Sequence, residues 1–261
     1  MKISFIGAGN VAWHLAQAFD RNQQPIEEVY SRSHKSADQL CARLYHAKPK
    51  TDLDFSDSKA DIFMIATPDD AIEEIMQIAK FPISSTVVHT SGTKSLAVLN
   101  SHTQIGNIGV FYPLQTFSKS KVVDFKKTPI CIEANSTETE QQLEKLAFSI
   151  CENVCFYNSE DRKVLHLAAV FACNFTNHLL TLSKQLVEKE GLDFAVLKPL
   201  IEETIAKAIT HGPEKSQTGP AARNDQKTIA HHLDILANNE ELSTIYATIT
   251  ESILDRSYWE K

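Results

Sequence analysis

Met1–Phe19 reads MKISFIGAGNVAWHLAQAF. An apolar run, Ile3–Ile6, breaks into Gly7-Ala8-Gly9-Asn10-Val11-Ala12, and behind it apolar residues return at three- and four-residue spacing. Strand, tight turn and amphipathic helix in this order form the opening of a βαβ chain. Gly7 permits the turn, Gly9 lets a phosphate approach the backbone, and Ala12 takes the small position where helix packs on strand. The free N–H groups and partial positive charge of the helix start suit a diphosphate, so Gly7, Ala8, Gly9, Asn10 and Val11 are expected to hold a dinucleotide. The alternative is a strand-to-helix turn with no ligand.

The next strand, EEVYS, ends where an Asp or Glu would hold the ribose 2′-hydroxyl of NAD. Here Ser31-Arg32-Ser33 stands instead, followed by His34 and Lys35. A carboxylate repels a 2′-phosphate, whereas a guanidinium grips it bidentately and two hydroxyls can donate to it. The expected cofactor is therefore NADP(H), unless these residues form only a solvated basic turn. Ala66-Thr67-Pro68-Asp69-Asp70-Ala71 closes a further strand and opens a helix, with Pro68 near the first turn and two acids favourable to its dipole. Such a loop borders the adenosine ribose and pyrophosphate, which adds Ala66, Thr67, Pro68 and Ala71 to the expected cofactor contacts.

Working outward, ISFIG, EEVYS, DIFMIAT, STVVHTS, NIGVFYP, TPICIEA and NVCFYN read as strands. NVAWHLAQAFD, KSADQLCARLYH, DDAIEEIMQIAK and STETEQQLEKLAFSICE read as the helices between them. DIFMIA is apolar on both faces, as a strand covered by helices on both sides should be. After Glu160 the texture changes to helical periodicity alone, in KVLHLAAVFACNFTNHLLTLSKQLVEKEG, LDFAVLKPLIEETIAKAIT, KTIAHHLDIL and EELSTIYATITESILDR. The expectation is an α/β domain over 1–158, with a doubly wound, mostly parallel sheet, and an all-α domain over 159–261. The first helix of the second half is apolar around most of its circumference as far as Leu182, so it should be buried on nearly all sides. A small helical domain cannot cover it alone, which points to a homodimer through the C-terminal helices.

Composition sets bounds on function. The chain has 261 residues, 43% hydrophobic content and a formal net charge of −7, which suits a packed globular protein and disfavours phosphate-backbone binding. No run approaches the roughly 20 unbroken apolar residues that span a bilayer, and no signal-peptide layout precedes Ile3. A cytoplasmic protein without nucleic-acid or membrane partners is expected. Five scattered cysteines, Cys41, Cys131, Cys151, Cys155 and Cys173, fit reduced core thiols. Cys151 and Cys155 could share a helix face, but nothing beside them has metal-ligand spacing, so no metal is expected.

Ligands of open α/β sheets lie beyond the carboxyl ends of the strands. His89-Thr90-Ser91-Gly92-Thr93 and Phe111-Tyr112-Pro113-Leu114-Gln115-Thr116-Phe117 close two of them. Ser91, His89 and Tyr112 could each donate to a carbonyl or imine being reduced. Ser91-Gly92 could equally be a plain turn, and Tyr112 a half-buried aromatic. On the long apolar helix, His166 and Asn174 are eight residues apart, roughly two turns, and so lie near one face, towards a substrate cleft or paired in the core. Arg223 and Asp225 could line the same cleft or close their loop as a salt bridge. Ser91, His166, Asn174 and Tyr112 are the expected catalytic set, acting on a small-molecule substrate.

GAGNVA, YSRS, ATPDDAI, HTSGT, FYPLQTFS and TGPAARND, in this order across essentially the whole chain, resemble a bacterial family of Rossmann-like candidate NADP oxidoreductases whose C-terminal helical domain is of unknown function. The N-terminal half is more remotely similar to deazaflavin-dependent NADP oxidoreductases and pyrroline-5-carboxylate reductases, and the two-domain layout to β-hydroxyacid dehydrogenases. The resemblance implies a dinucleotide-binding domain, a helical domain that pairs in a homodimer, and an active cleft between the domains, but no substrate. Two departures stand out. Phe171 occupies the position of the catalytic lysine of β-hydroxyacid dehydrogenases, although Asn174 is present. Tyr112 stands where close relatives often carry a histidine. A sensor that binds NADPH or a nucleotide without turnover is the competing reading.

Overall fold

Strands buried on both faces organise the first part of the chain, as the computed structural model, which describes residues 1–101 and 105–255, shows. In β1 (Ile3–Ile6), Ile3 and Phe5 enter the core on one side of the sheet and Ile6 the core on the other. In β4 (Ile62–Ile65), Ile62 and Met64 join the first core, Phe63 and Ile65 the second. This is the two-residue alternation of a strand with no wet face. Ser4, the one polar residue of β1, donates its hydroxyl to the Glu28 carboxylate at 2.7 Å.

By compactness the chain divides into Met1–Cys173 and Asn174–Lys261. The first unit is built on an eight-stranded sheet of order β3-β2-β1-β4-β5-β6-β7-β8. Its further strands are β2 (Ile26–Tyr30), β3 (Lys48–Lys50), β5 (Thr86–His89), β6 (Asn107–Pro113), β7 (Ile130–Ala134) and β8 (Val154–Phe156). All neighbouring pairs are parallel except β6 and β7. The order reverses between β1 and β4, which is the switch point where an open sheet takes a ligand. Helices α1 (Asn10–Arg21), α2 (His34–Cys41) and α4 (Thr137–Phe148) add to the first core, and α3 (Ile72–Ile78) to the second. On α1 the buried Ala12, Leu15, Ala16 and Phe19 make one helical stripe.

The α/β class with a mostly parallel sheet is as read from the sequence, with one strand missed. β3 is Lys48-Pro49-Lys50, three residues on the sheet edge. It has no apolar run, and only an edge accepts a proline. Cys151 follows the end of α4 while Cys155 lies in β8, so they share no helix. All five thiols are free, and among the described residues no cluster of histidine, cysteine and carboxylate could hold a metal.

The helical segment that opens the second half starts at Ser159 as α5 (Ser159–Ala169), but its first turns belong to the first unit, so the division at 173 falls later than the expected 158. The reason is a buried ion pair that ties α5 to β7, described below. A π-helical stretch, Val170–Phe175, joins α5 to α6 (Thr176–Lys189). His166 and Asn174 are therefore not separated by eight α-helical steps, which removes the straight-helix premise for placing them on one face. The Ser159–Lys189 segment spans 31 residues with mean hydropathy 1.2 in its most apolar window, enough by length and composition to cross a membrane. This modifies the sequence reading. Yet its first turns hold a buried arginine and a histidine bonded to the sheet.

The second unit continues with α7 (Lys198–His211), α8 (Pro213–Ser216), α9 (Gln226–Ile235) and α10 (Glu240–Leu254); α7, α9 and α10 are helical as expected, α8 falls in the stretch 210–225 that reads in sequence as an irregular loop, and Arg256 of the expected last helix lies outside the described residues. Asp225 caps α9, accepting from the Thr228 N–H at 3.1 Å and its hydroxyl at 2.8 Å, which holds its carboxyl below the usual range. The expected burial of the long helix is not met within one chain. Leu167, Phe171, Phe175, Leu179 and Leu186 are all exposed, and Leu182 alone of α6 is buried.

Candidate functional site

The turn after β1 is shaped by its contact with β4. Gly7 has φ of +117°, and a Cβ there would stand 2.2 Å from the Ala66 carbonyl oxygen. Only glycine fits. Gly9 differs: its φ is −75° and a Cβ would meet nothing within 4 Å. The protein's own packing does not require its small size, and the space beside it is open. As N-cap of α1, Gly9 has no side chain to bond the helix's first N–H groups, and no acid lies in the first turn. Those donors are left for an anion.

Beyond this turn lies an open cleft of about 210 Å³. Of the twelve residues expected to contact cofactor, nine line it: Gly7, Ala8, Gly9, Ser31, Arg32, Ala66, Thr67, Pro68 and Ala71. Asn10 and Val11 lie just along α1 and do not line it. Ser33 does not either, because its hydroxyl oxygen caps α2 by accepting from the Ser36 N–H at 3.3 Å. Tyr30, Leu53, Glu74, Ile75 and Ile78 line the cleft and were missed. The spacing of Ile75 and Ile78 on one side of α3 was the available signal; Leu53 follows the unrecognised β3.

The cleft fits a phosphorylated dinucleotide on three observations. Arg32 is exposed at its wall, and among the described residues no carboxylate pairs with it. Thr67 Oγ1 is buried without a hydrogen-bond partner, which calls for a ligand atom or water. The α1 donors and the bare Gly9 face the same turn.

A second constellation forms at the ends of β5 and β6. Tyr112 Oη lies 2.9 Å from His166 Nδ1, with ring centroids 5.9 Å apart and planes at 63°. A Cβ on Gly92 would stand 2.6 Å from His166 Nδ1 and 2.8 Å from Tyr112 Cζ. Gly92 is thus what lets the two rings meet. Burial pushes the Tyr112 phenol up to about 12, so it stays a neutral hydroxyl over the ordinary pH range.

The two other candidates on this edge are largely engaged. His89 is fully buried; its Nδ1 accepts from the Ser91 N–H at 3.1 Å and its Nε2 lies 3.3 Å from the Ser95 carbonyl. Burial, then the nearby Arg162 charge, lowers its pKa to about 4, so it is a neutral structural imidazole. Ser91 Oγ accepts from the N–H groups of Thr93 and Lys94 at 3.1 and 3.0 Å. It holds the turn that presents Gly92, and its own hydroxyl lies 3.4 Å from Thr93 Oγ1, whose proton goes to the Asp69 carboxylate. Asn174 lies in the second unit.

Arg162 and Glu133 were not singled out in the sequence, where no local pattern links them across 29 residues. Arg162 is 1% exposed; its guanidinium pairs with the Glu133 carboxylate and donates to the Lys94 carbonyl. Ser159 Oγ donates to the same carboxylate at 2.8 Å and accepts from the Leu96 N–H at 2.9 Å. One turn after Arg162 comes His166. The pair therefore sets the direction from which α5 delivers His166 to Tyr112.

Two family models match the chain: a Rossmann-like domain over residues 1–113 and a domain of unknown function, DUF2520, over residues 128–253. A solved candidate NADP oxidoreductase from Bacteroides fragilis is 40% identical, with 98% of each chain covered and a TM-score of 0.90. The chain belongs to that family. The family's fold extends to more distant structures. An imine reductase from Myxococcus stipitatus in complex with NADP+ is 12% identical over 100% of this chain and 95% of its own, with a TM-score of 0.68. A 1-pyrroline-5-carboxylate reductase from Streptococcus pyogenes is 17% identical over 98% and 97%, with a TM-score of 0.60. No curated protein sequence matches significantly.

Proposed function

We propose that the chain is an NADP(H)-dependent oxidoreductase that moves hydride to or from a small polar metabolite. The observation that carries this reading is the opening of Gly9 and Arg32 onto one cleft at the switch point, with no carboxylate at the end of β2. Similarity to the candidate NADP oxidoreductase supports it, and the imine- and pyrroline-carboxylate-reducing structures of like fold favour a C=N or C=O group as the reacting bond. When bound, NADPH would supply the hydride to the carbon of that bond. Tyr112 would give its phenolic proton to the heteroatom, and His166 Nδ1, protonated, would return a proton to Tyr112 Oη across the 2.9 Å between them. Ser91 and, from the helical part, Asn174 would orient the substrate in the inter-domain cleft implied by the family resemblance.

Tyr112→Phe keeps the ring and removes the proton. NADPH consumption measured with a panel of small imines and carbonyls should fall about 10²-fold in kcat, with NADPH affinity unchanged. A variant as fast as the parent would remove Tyr112 from the mechanism. Tight NADPH binding without turnover of any compound would favour a cofactor sensor, a reading supported by the engagement of Ser91 Oγ with two backbone N–H groups.

The exposed apolar residues of α5, the π-helical stretch, α6 and α7, including Leu167, Phe171, Leu179, Leu200 and Ile209, extend the proposal to a homodimer. Light scattering at micromolar concentration should give twice the chain mass; a monomer would contradict it. Cytoplasmic placement belongs to the same reading.

A further inference from the structure

The PLQTF segment carries part of the family resemblance but contributes no residue to the cleft. Its continuation runs alongside the start of α1. Asn10 Nδ2 donates to the Phe117 carbonyl at 3.1 Å, His14 Nε2 lies 2.9 Å from the Ser118 carbonyl, and the Phe117 ring packs between His14 and Phe125. These contacts deliver Lys119 to the glycine turn. Its ammonium donates to the Ala8 carbonyl at 3.2 Å and sits 4.7 Å above the Trp13 ring, which Arg43 also approaches at 5.8 Å.

This placement is electrostatically incomplete. The positive end of the α1 dipole lies here with no acid in the first turn, and a cation is unfavourable at such an end. Among the described residues no carboxylate forms a salt bridge with Lys119, in a protein whose formal net charge is −7. A carbonyl and an aromatic face orient the ammonium but do not neutralise it. An anion at the glycine turn would relieve both charges together.

We propose that Lys119 is a ligand of the dinucleotide diphosphate, brought to the glycine turn by the loop after β6 and steadied on Trp13. The inference rests on the cofactor reading above and adds a residue about 110 positions from the motif that binds the same group. It also assigns the Phe117–Lys119 segment a role, as the arm that completes the phosphate site.

Calorimetric titration separates the two readings. Three ligands are used: NADPH, 2′-phosphoadenosine diphosphoribose, which keeps the diphosphate without the nicotinamide, and adenosine 2′-monophosphate, which lacks it. Lys119→Gln should weaken the first two about tenfold, the loss of one charge-assisted hydrogen bond, and leave the third unchanged. Lys119→Arg should recover most of that loss, and Lys121→Gln, a neighbouring exposed lysine, should bind like the parent. Unchanged NADPH affinity in Lys119→Gln, equal weakening of all three ligands, or the same loss in Lys121→Gln would overturn the assignment while the cofactor reading stands. Absence of NADPH uptake by the parent protein would overturn both.

Discussion

Gly9→Val is expected to abolish NADPH binding while leaving a folded protein. A valine Cβ at this position meets no protein atom within 4 Å, and the φ of −75° is ordinary for any residue. The fold loses only what a poorer N-cap costs, about 1 kcal/mol. The branched side chain would stand where the diphosphate must come against the α1 amides, so affinity should drop by more than about 10²-fold. Thermal unfolding and calorimetry on the same sample check both halves. Retained affinity would show that the phosphate does not approach over Gly9. Gly7, by contrast, is required by the protein itself, since its φ of +117° and the Ala66 carbonyl leave no room for a side chain. The two glycines of one motif thus serve different ends.

Arg32→Asp should weaken NADPH by about two orders of magnitude while changing NADH little. The substitution removes a guanidinium that can bond a phosphate bidentately and sets a carboxylate against it, so attraction becomes repulsion. The same carboxylate can accept from the 2′-hydroxyl of NADH, as acids at this strand end do. Arg32 is exposed and pairs with no acid among the described residues, so the change disturbs little else. Competitive titration of the two cofactors gives the selectivity directly. Equal loss for both would mean that Arg32 does not read the 2′-phosphate.

The parts of this molecule legible in its sequence are those where neighbouring residues act together. The turn from β1 to α1, the strands apolar on both faces and the wholly helical second half follow from spacings of two, three and four residues. Nine of the twelve expected cofactor contacts line the cleft because they sit at strand ends, where a parallel sheet gathers its loops. Ser33 shows the limit of this logic. Its residue type suits a phosphate, but it also suits a helix cap, and the α2 N–H groups claim it.

Several features depend on partners remote in the chain. Arg162 and Glu133 are 29 residues apart, and either alone reads as a surface charge; together they form a buried clamp. Gly92, Tyr112 and His166 come from three elements, and only their meeting explains why residue 92 has no side chain. Lys119 reaches Ala8 across 111 positions. The edge strand β3 exists because β2 offers it hydrogen-bonding groups, not because Lys-Pro-Lys favours extension.

The sequence by itself determined the class of the fold, the dinucleotide turn and the basic residue beside it, because backbone conformation and apolar periodicity are local properties. Only the tertiary structure decided which polar groups find partners far along the chain: Arg162 meets Glu133, Tyr112 meets His166, and Lys119 meets the Ala8 carbonyl, while Arg32 is left without a carboxylate among the described residues. The physical reason is that a hydrogen bond or ion pair requires two groups within about 3 Å, and folding alone brings distant residues that close.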